Sequence, residues 1–320
     1  MTKIAVIGAT GHIGTYLVPR LALAGHEVIA VSRGVAKPYQ QNGAWSGVTK
    51  VVLDRDSEEA AGTFGTKIAD LGADIVIDCI CFTLDNSNQL ADALEGKVSQ
   101  FIHVGTIWTH GFSTVVPTPE SAVKFPFGDY GVAKAAIEAD LLQRAHRLGF
   151  PVSIVHPGHI VGPGWAPLNP AGHFNPSVFS TIAQGQPLAL ANFGLETVHH
   201  VHADDIAQII IGAMDNRSAA IGESFHAVSA GAVTLRGYAE AMYRWFGHEP
   251  NLSFLPYAEW ATTLDKKDAD ATWEHVARSP NCSIEKGRRL LGYAPCYTSL
   301  EAVQESVTWL IEDGQVTTTP

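Results

Sequence analysis

The run from Lys3 to Gly14 constrains this chain more than any other stretch of its 320 residues. Lys3 to Ile7 is a β-branched run long enough for one buried parallel strand. It ends on Gly8-Ala9-Thr10-Gly11-His12-Ile13-Gly14, a G-x-x-G-x-x-G spacing. Ile13, Leu17, Leu21 and Leu23 then mark a helix, which stops at Gly25 before a second strand over Glu27 to Val31. Strand, glycine turn, helix and strand make a βαβ unit. Its glycines let backbone approach a pyrophosphate, and the helix N-terminus stabilises the negative charge. Gly8, Thr10, Gly11, His12, Ile13 and Gly14 are therefore expected to cradle a dinucleotide. The second strand ends in Ser32-Arg33-Gly34 with no acidic residue to accept from a ribose 2'-hydroxyl, and Arg33 suits a 2'-phosphate. The expectation leans to NADP(H), with NAD as the other choice.

The alternation continues through a strand at Val51 to Leu53, a helix ending at Ile68 to Leu71, and strands at Asp74 to Ile80 and Phe101 to Val104. Repeated units of this length predict an α/β fold: a Rossmann-type, doubly wound parallel sheet with ligand at the carboxyl ends of the strands. Asp54, Arg55, Cys79, Ile80, Cys81 and the Gly105-Thr106 pair should then lie near the cofactor. Ala203 to Met214 reads as a helix and Ser224 to Val228 as a strand that rejoins the sheet. Helices dominate after that: Leu235 to Phe246, Tyr257 to Leu264, Asp268 to Ala277, and Leu300 to Ile311 behind the capping box Thr298-Ser299-Leu300-Glu301. The predicted division is a dinucleotide-binding domain of residues 1–165 plus 198–230, and a smaller, mainly helical C-terminal substrate lobe of residues 166–197 plus 231–320.

Composition narrows the partners. A formal net charge of -11 gives no general attraction for nucleic acid or an anionic membrane. No apolar run approaches membrane-spanning length, and Met1 leads straight into a strand without room for a signal peptide. Cys79, Cys81, Cys282 and Cys296 form no C-x-x-C pair and read as reduced thiols, so the expected setting is the cytoplasm and the expected partner a small molecule.

Tyr130 and Lys134 stand four residues apart at the start of a helical pattern with Ala133, Ile137, Leu141, Ala145 and Leu148 as its apolar stripe. An ammonium beside a phenol favours the phenolate and draws its pKa down from about 10, towards acid–base work at a carbonyl. Alone, such a pair is more often a surface Tyr and Lys on an amphipathic helix, and only its neighbours can make it more.

Those neighbours resemble the extended short-chain dehydrogenase/reductases of the NAD-dependent epimerase/dehydratase type. Gly8 to Gly14 matches that family's cofactor loop, and Thr106 falls where the family has its Ser or Thr after a central strand. Tyr130 and Lys134 match its Y-x-x-x-K. His156-Pro157-Gly158-His159-Ile160-Val161-Gly162-Pro163-Gly164 is similar to its R-P-x-x-x-x-G-P-x segment, and His202-Ala203-Asp204-Asp205-Ile206-Ala207 to its H-V-D-D-V-A. The resemblance implies that Tyr130 exchanges a proton with a substrate oxygen, that Lys134 holds the nicotinamide ribose and lowers the tyrosine pKa, and that Thr106 hydrogen-bonds the same oxygen. It also implies that Pro157, Gly158 and His159 adjoin the cofactor, and it suggests a homodimer by analogy.

Two departures shape the expected reaction. Sugar-nucleotide dehydratases of the family carry Asp-Glu directly after the Thr, where this chain has Ile107 and Trp108, neither able to act as acid or base. Members that bind nucleotide sugars commonly present Arg near the H-V-D-D segment. Between Leu148 and Asp265 this chain offers only Arg217, Arg236 and Arg244, so a diphosphate would be poorly neutralised. The expected activity is a sugar epimerase or oxidoreductase working by hydride transfer at a carbinol or carbonyl carbon, on a substrate without a nucleoside diphosphate. A ketone or aldehyde reductase consuming NADPH, and a non-catalytic dinucleotide-binding regulator, are the alternatives. The Pro-rich loop after Gly164 mixes amides, His and aromatics, so Trp165, Asn169, His173 and Asn175 join Phe82, Trp108, His110, His159 and His200 as candidate substrate contacts. His199, His200 and His202 read as hydrogen-bonded histidines rather than metal ligands, because strand alternation would split them between two faces.

Overall fold

In the computed structural model, which describes residues 1–318, the first half alternates strand and helix as the periodicity requires. In order come β1 (Lys3–Ile7), α1 (His12–Leu23), β2 (Glu27–Ser32), β3 (Thr49–Val52), α2 (Arg55–Ala60), α3 (Phe64–Ala69) and β4 (Ile75–Asp78). They are followed by α4 (Leu84–Leu94), β5 (Gln100–Val104), α5 (Asp129–Leu148) and β6 (Val152–Pro157). The second half has β7 (His159–Val161), α6 (Ser177–Ala183), β8 (Leu188–Ala191), β9 (Thr197–Val198), β10 (His200–His202), α7 (Ala203–Asp215), α8 (Arg217–Ala220) and β11 (Ser224–Ala227). The chain closes with β12 (Val233–Thr234), α9 (Leu235–Trp245), β13 (Leu252–Leu255), α10 (Tyr257–Trp260), α11 (Lys266–Arg278), α12 (Glu285–Leu291) and α13 (Ser299–Glu312).

Seven strands form one parallel sheet in the order β11-β6-β5-β4-β1-β2-β3. Strand order reverses at β1, and the register sets Ile7 level with both Val31 and Asp78. The backbone leaving β1 at Gly8 thus emerges into the crevice between the ends of β2 and β4, where such sheets bind ligands. Alternation sends Val6 and Ile77 to the face covered by α1 and α7, with Leu17, Ile206 and Ile210. Ile7 and Val76 go to the other face, under Phe64, Leu90, Ile137 and Leu141 of α3, α4 and α5. A separate core gathers Phe179, Leu190, Tyr238, Met242, Trp260, Val303 and Leu310 in the C-terminal half.

The differences from the sequence reading lie at element ends and in the second half. The strand expected over Asp74 to Ile80 spans only Ile75–Asp78, because Cys79 and Ile80 turn away towards the glycine loop. The helix expected over Tyr257 to Leu264 ends at Trp260 and tightens into a 3₁₀ turn, Ala261–Thr263. β8 and β13 pair in parallel with no advance signal, both being too short for a pattern. The capping box of α13 forms: Thr298 Oγ1 accepts from Glu301 N at 3.2 Å while Thr298 N donates to Glu301 Oε2 at 2.8 Å. Among the described residues no helix is long and apolar enough to cross a membrane.

Candidate active site

The glycine turn is built so tightly that side chains are excluded from it. Gly8 has φ +81°, and a Cβ there would lie 2.8 Å from Ile80 Cγ2. A Cβ on Gly14 would lie 2.1 Å from the carbonyl oxygen of Ala9, so α1 packs directly on the turn. In front of it lies a cavity of about 400 Å³ lined by Gly8, Thr10, Gly11, Ser32, Arg33, Tyr39, Ile80, Phe82 and others. A second cavity of about 220 Å³ shares Gly8, Gly11, Tyr39 and Ile80 and adds His12, Ile13, Cys79 and Ile160. An exposed turn of backbone, a helix N-terminus and two adjoining cavities suit an extended dinucleotide. Tyr39 and Ile160 were not anticipated: Tyr39 belongs to no motif, and Ile160 is an unspecified position within the His156 to Gly164 segment.

Several residues expected at the cofactor have partners within the fold. Asp54 caps α2, accepting from Ser57 N at 3.0 Å. Arg55 touches the cavity wall, yet its guanidinium is buried and bound to Asp78 Oδ1 at 2.7 Å and Glu59 Oε1 at 2.5 Å. Cys81 is fully buried, and its thiol is pushed up to about 12 by burial and by Asp78. Asp78, Cys81 and His103 bring donor atoms within 4.8 Å of one another. Arg55 and Lys134 already set two cations against this group, which is the wrong electrostatics for a metal ion. Pro157 is buried at the end of β6, and Gly158 packs under the His199 carbonyl, where a Cβ would come within 2.3 Å.

Thr106, Tyr130 and Lys134 converge at the carboxyl end of β5. Thr106 caps a 3₁₀ turn, Ile107–His110, and its Oγ1 accepts from Trp108 N at 3.2 Å, which leaves the hydroxyl proton free to donate. Tyr130, in the first turn of α5, is 42% exposed and its hydroxyl faces the Thr106 side chain. Lys134 lies one turn deeper, buried, with Nζ donating to Val104 O at 3.0 Å and lying 5.9 Å from the centre of the Tyr130 ring. The expected depression of the phenol by this ammonium is not found. Burial pushes the Tyr130 pKa up, and the counteracting pull comes from Thr106. Lys134 itself is lowered to about 8 by burial.

Beyond Tyr130 a train of rings leads into the C-terminal half. Trp108 lies edge-on to Tyr130 at 5.8 Å and to His275 at 5.2 Å. His159 lies 4.8 Å from His275 and 5.9 Å from His200, and Phe174 packs edge-on to His275 at 5.6 Å. Burial holds His275 near about 4, His200 near about 3 and His159 well below its ordinary value, so these imidazoles are neutral. His275 was missed because α11 reads as a polar helix. Its inward stripe, Ala269, Thr272 and Val276, was the available signal. Arg278 was missed with it. Its guanidinium stacks between Trp108 and Phe127 at 3.8 and 3.9 Å, donates to Phe127 O at 2.6 Å and pairs with Glu274.

The other proposed substrate contacts, and the neighbouring histidines His199 and His202, have partners of their own. Phe82 lines the cofactor cavity, 5.1 Å from Lys134 Nζ. His110 is buried in the interior, 2.8 Å from His226 Nε2. Trp165 stacks on His12 at 3.7 Å and donates to Ile160 O, so it covers the glycine turn. Asn169 is fully buried and ties its own loop together through Ala171 N, Asn175 O and His173 Nδ1. Asn175 donates to Asp268 Oδ2 at 3.1 Å, and His173 stays inside the loop. His199 accepts from Cys282 N at 3.1 Å, and His202 accepts from Asp204 N at 3.1 Å and stacks on Tyr297.

The sequence model of the NAD dependent epimerase/dehydratase family matches residues 4–227. The chain belongs to this family. Among curated proteins it is 27% identical over 318 residues to 2'-dehydrokanamycin reductase of Streptomyces kanamyceticus, covering 98% of this chain and 86% of that one. It is 23% identical over 310 residues to the chloroplast stem-loop binding protein of 41 kDa b of Arabidopsis thaliana, covering 95% and 78%. The structure of a UDP-glucuronic acid 4-epimerase from Bacillus cereus in complex with NAD superposes with a TM-score of 0.72 over 97% of this chain and 99% of that one, at 18% identity, a likeness of fold.

Proposed function

We propose that this protein is a nicotinamide-dependent oxidoreductase or epimerase acting at a carbinol or carbonyl carbon of a sugar or sugar-like substrate that carries no nucleoside diphosphate. The observation that carries this reading is the meeting of the Thr106 and Tyr130 hydroxyls beside the glycine-lined cavity, with Lys134 behind them. The bound nicotinamide supplies or accepts the hydride. Gly8 to Gly14 and the start of α1 receive the pyrophosphate, and Ser32 and Arg33 favour the 2'-phosphate of NADP(H).

The residues serve reduction best. A phenol is protonated at neutral pH at its ordinary pKa of about 10, so Tyr130 has a proton to give to an oxygen that gains charge. Thr106 can donate to the same oxygen, because the bond it accepts from Trp108 N leaves its hydroxyl proton available. Both interactions strengthen as charge develops, and so favour the transition state over the ground state.

The substrate side supports a hydroxyl-rich ligand without a diphosphate. Trp108 and Phe174 offer faces for sugar carbons, and His159 Nε2 and His200 Nδ1 are buried without partners. A diphosphate would need cations that are already committed: Arg278 to Glu274 and Phe127, Arg236 and Arg244 to Glu240. A relative named for a keto-aminoglycoside supports the same class. The plant relative's name raises nucleic acid, but a net charge of -11 opposes it. The test pairs two measurements: calorimetric titration with UDP-glucose and dTDP-glucose, and NADPH consumption with 2'-dehydrokanamycin as first probe. Absent nucleotide-sugar binding with stoichiometric NADPH loss is expected. Micromolar binding of either nucleotide sugar would overturn the substrate class.

A further inference from the structure

Helix α5 carries a third polar residue in line with Tyr130 and Lys134. Glu138 is the next step of the same i, i+4 row, buried to 3% exposure. Its Oε1 lies 3.0 Å from His156 Nε2, and Lys124 pairs with it from the loop before α5. His156 is the second residue buried here, at 1% exposure, on the neighbouring strand β6. Its Nδ1 accepts from the backbone N–H of Thr106 at 3.0 Å. That bond fixes the tautomer: with Nδ1 an acceptor, the ring proton sits on Nε2, which lies 3.0 Å from Glu138 Oε1 without the alignment of a hydrogen bond. Burial pushes the Glu138 carboxyl up, and the Lys124 ammonium pulls it back down.

The backbone is shaped to admit this ring. A Cβ on Gly105 would stand 2.4 Å from His156 Nδ1, so only glycine lets the imidazole reach the turn. Gly105 N donates to Val155 O at 2.7 Å, and Lys134 Nζ donates to Val104 O at 3.0 Å. The three residues Val104, Gly105 and Thr106 are thus gripped from α5 and β6 together.

We propose that Glu138 and His156 form a positioning dyad that sets the Thr106 backbone, and through it aims the Thr106 hydroxyl at Tyr130 and the substrate oxygen. The inference rests on the oxidoreductase reading for its consequence, though not for its geometry. His156 touches no reacting atom and acts only through Thr106. A turn that carries a reacting hydroxyl loses rate steeply when it drifts, about 10²-fold for a displacement near 1 Å.

Side chains of different reach separate the dyad from mere packing. Asn places its amide where His156 Nδ1 lies, whereas Gln places it where Nε2 lies. His156→Asn can therefore still accept from Thr106 N–H, and His156→Gln and His156→Leu cannot. In protein labelled with ¹⁵N at threonine and histidine, the wild type is expected to show His156 as the Nε2–H tautomer and a protected Thr106 amide. His156→Asn is expected to keep that protection, while His156→Gln and His156→Leu lose it, with exchange faster by about tenfold or more. With NADPH and 2'-dehydrokanamycin, His156→Leu should lower kcat by about 10²-fold with little change in KM. The same substitution in a Thr106→Val background should cost nothing further. If His156→Leu does not fold, the order of Asn above Gln decides. Equal Thr106 exchange in the Asn and Gln variants, or an additive loss with Thr106→Val, would overturn the dyad. Unaltered turnover in Tyr130→Phe would instead remove the oxidoreductase reading and leave the exchange result standing.

Discussion

Replacing Arg55 by Met tests whether this residue belongs to the cofactor site or to the core beneath it. The Arg55 side chain is 7% exposed, and its two carboxylate partners, Asp78 and Glu59, are 1% and 5% exposed. Removing the cation leaves two buried carboxylates without it, and breaking a buried pair this way costs about 3–5 kcal/mol. That is a large share of the ~5–15 kcal/mol that holds a typical domain. Burial already pushes the Glu59 pKa up, and Arg55 is the main force holding it down. In the variant Glu59 rises further above its unfolded value, so the penalty is largest at neutral pH and fades as pH falls. Equilibrium urea unfolding of the cofactor-free protein at neutral and mildly acid pH measures it. A second substitution, Asp78→Asn, keeps an acceptor for Ile80 N and is expected to recover part of the loss. Arg55→Met within about 1 kcal/mol of wild type, together with weakened NADPH binding, would refute the burial argument and return Arg55 to the cofactor.

Lys134 gives stability a pH dependence of definite sign. Its folded pKa, about 8, lies below the ordinary 10.5, so the unfolded chain binds more protons between those values and stability rises with pH across that window. Because the buried thiols of Cys79, Cys81 and Cys282 act in the opposite sense, the test is the difference: in urea unfolding the wild type should gain stability relative to Lys134→Met as pH rises across that window. Arg33→Ala should raise the Kd for NADPH by about tenfold and leave NADH unchanged, read by fluorescence titration, because a charge-assisted bond to the 2'-phosphate is lost. An equal effect on both cofactors would remove the basis for preferring NADP(H).

What the sequence made legible was local. Strand, glycine turn and helix follow one another within Lys3–Leu23, so the geometry that excludes a Cβ at Gly14 is written in adjacent residues. The Tyr130 to Lys134 spacing likewise fixed one helical face. What escaped depends on contacts between distant segments. Trp165 has the composition of a sugar platform, but it meets His12 across the fold and becomes a cover for the glycine turn. Asn169 looks like a hydroxyl-binding amide. Its loop is buried, however, and buried backbone must find partners, which Asn169 supplies. His275 and Arg278 reach the site from α11, which no motif marks. The tyrosine pKa was misread for a similar reason: spacing gives proximity along the helix, while the direction of the Lys134 ammonium is set by the Val104 carbonyl on another element.

The most direct test of Tyr130 as the proton donor is the turnover of Tyr130→Phe with NADPH and 2'-dehydrokanamycin at neutral pH, beside the wild type. Removing the hydroxyl while keeping the ring should lower kcat by about 10²- to 10⁴-fold with NADPH affinity retained. Wild-type turnover that persists in Tyr130→Phe would contradict it.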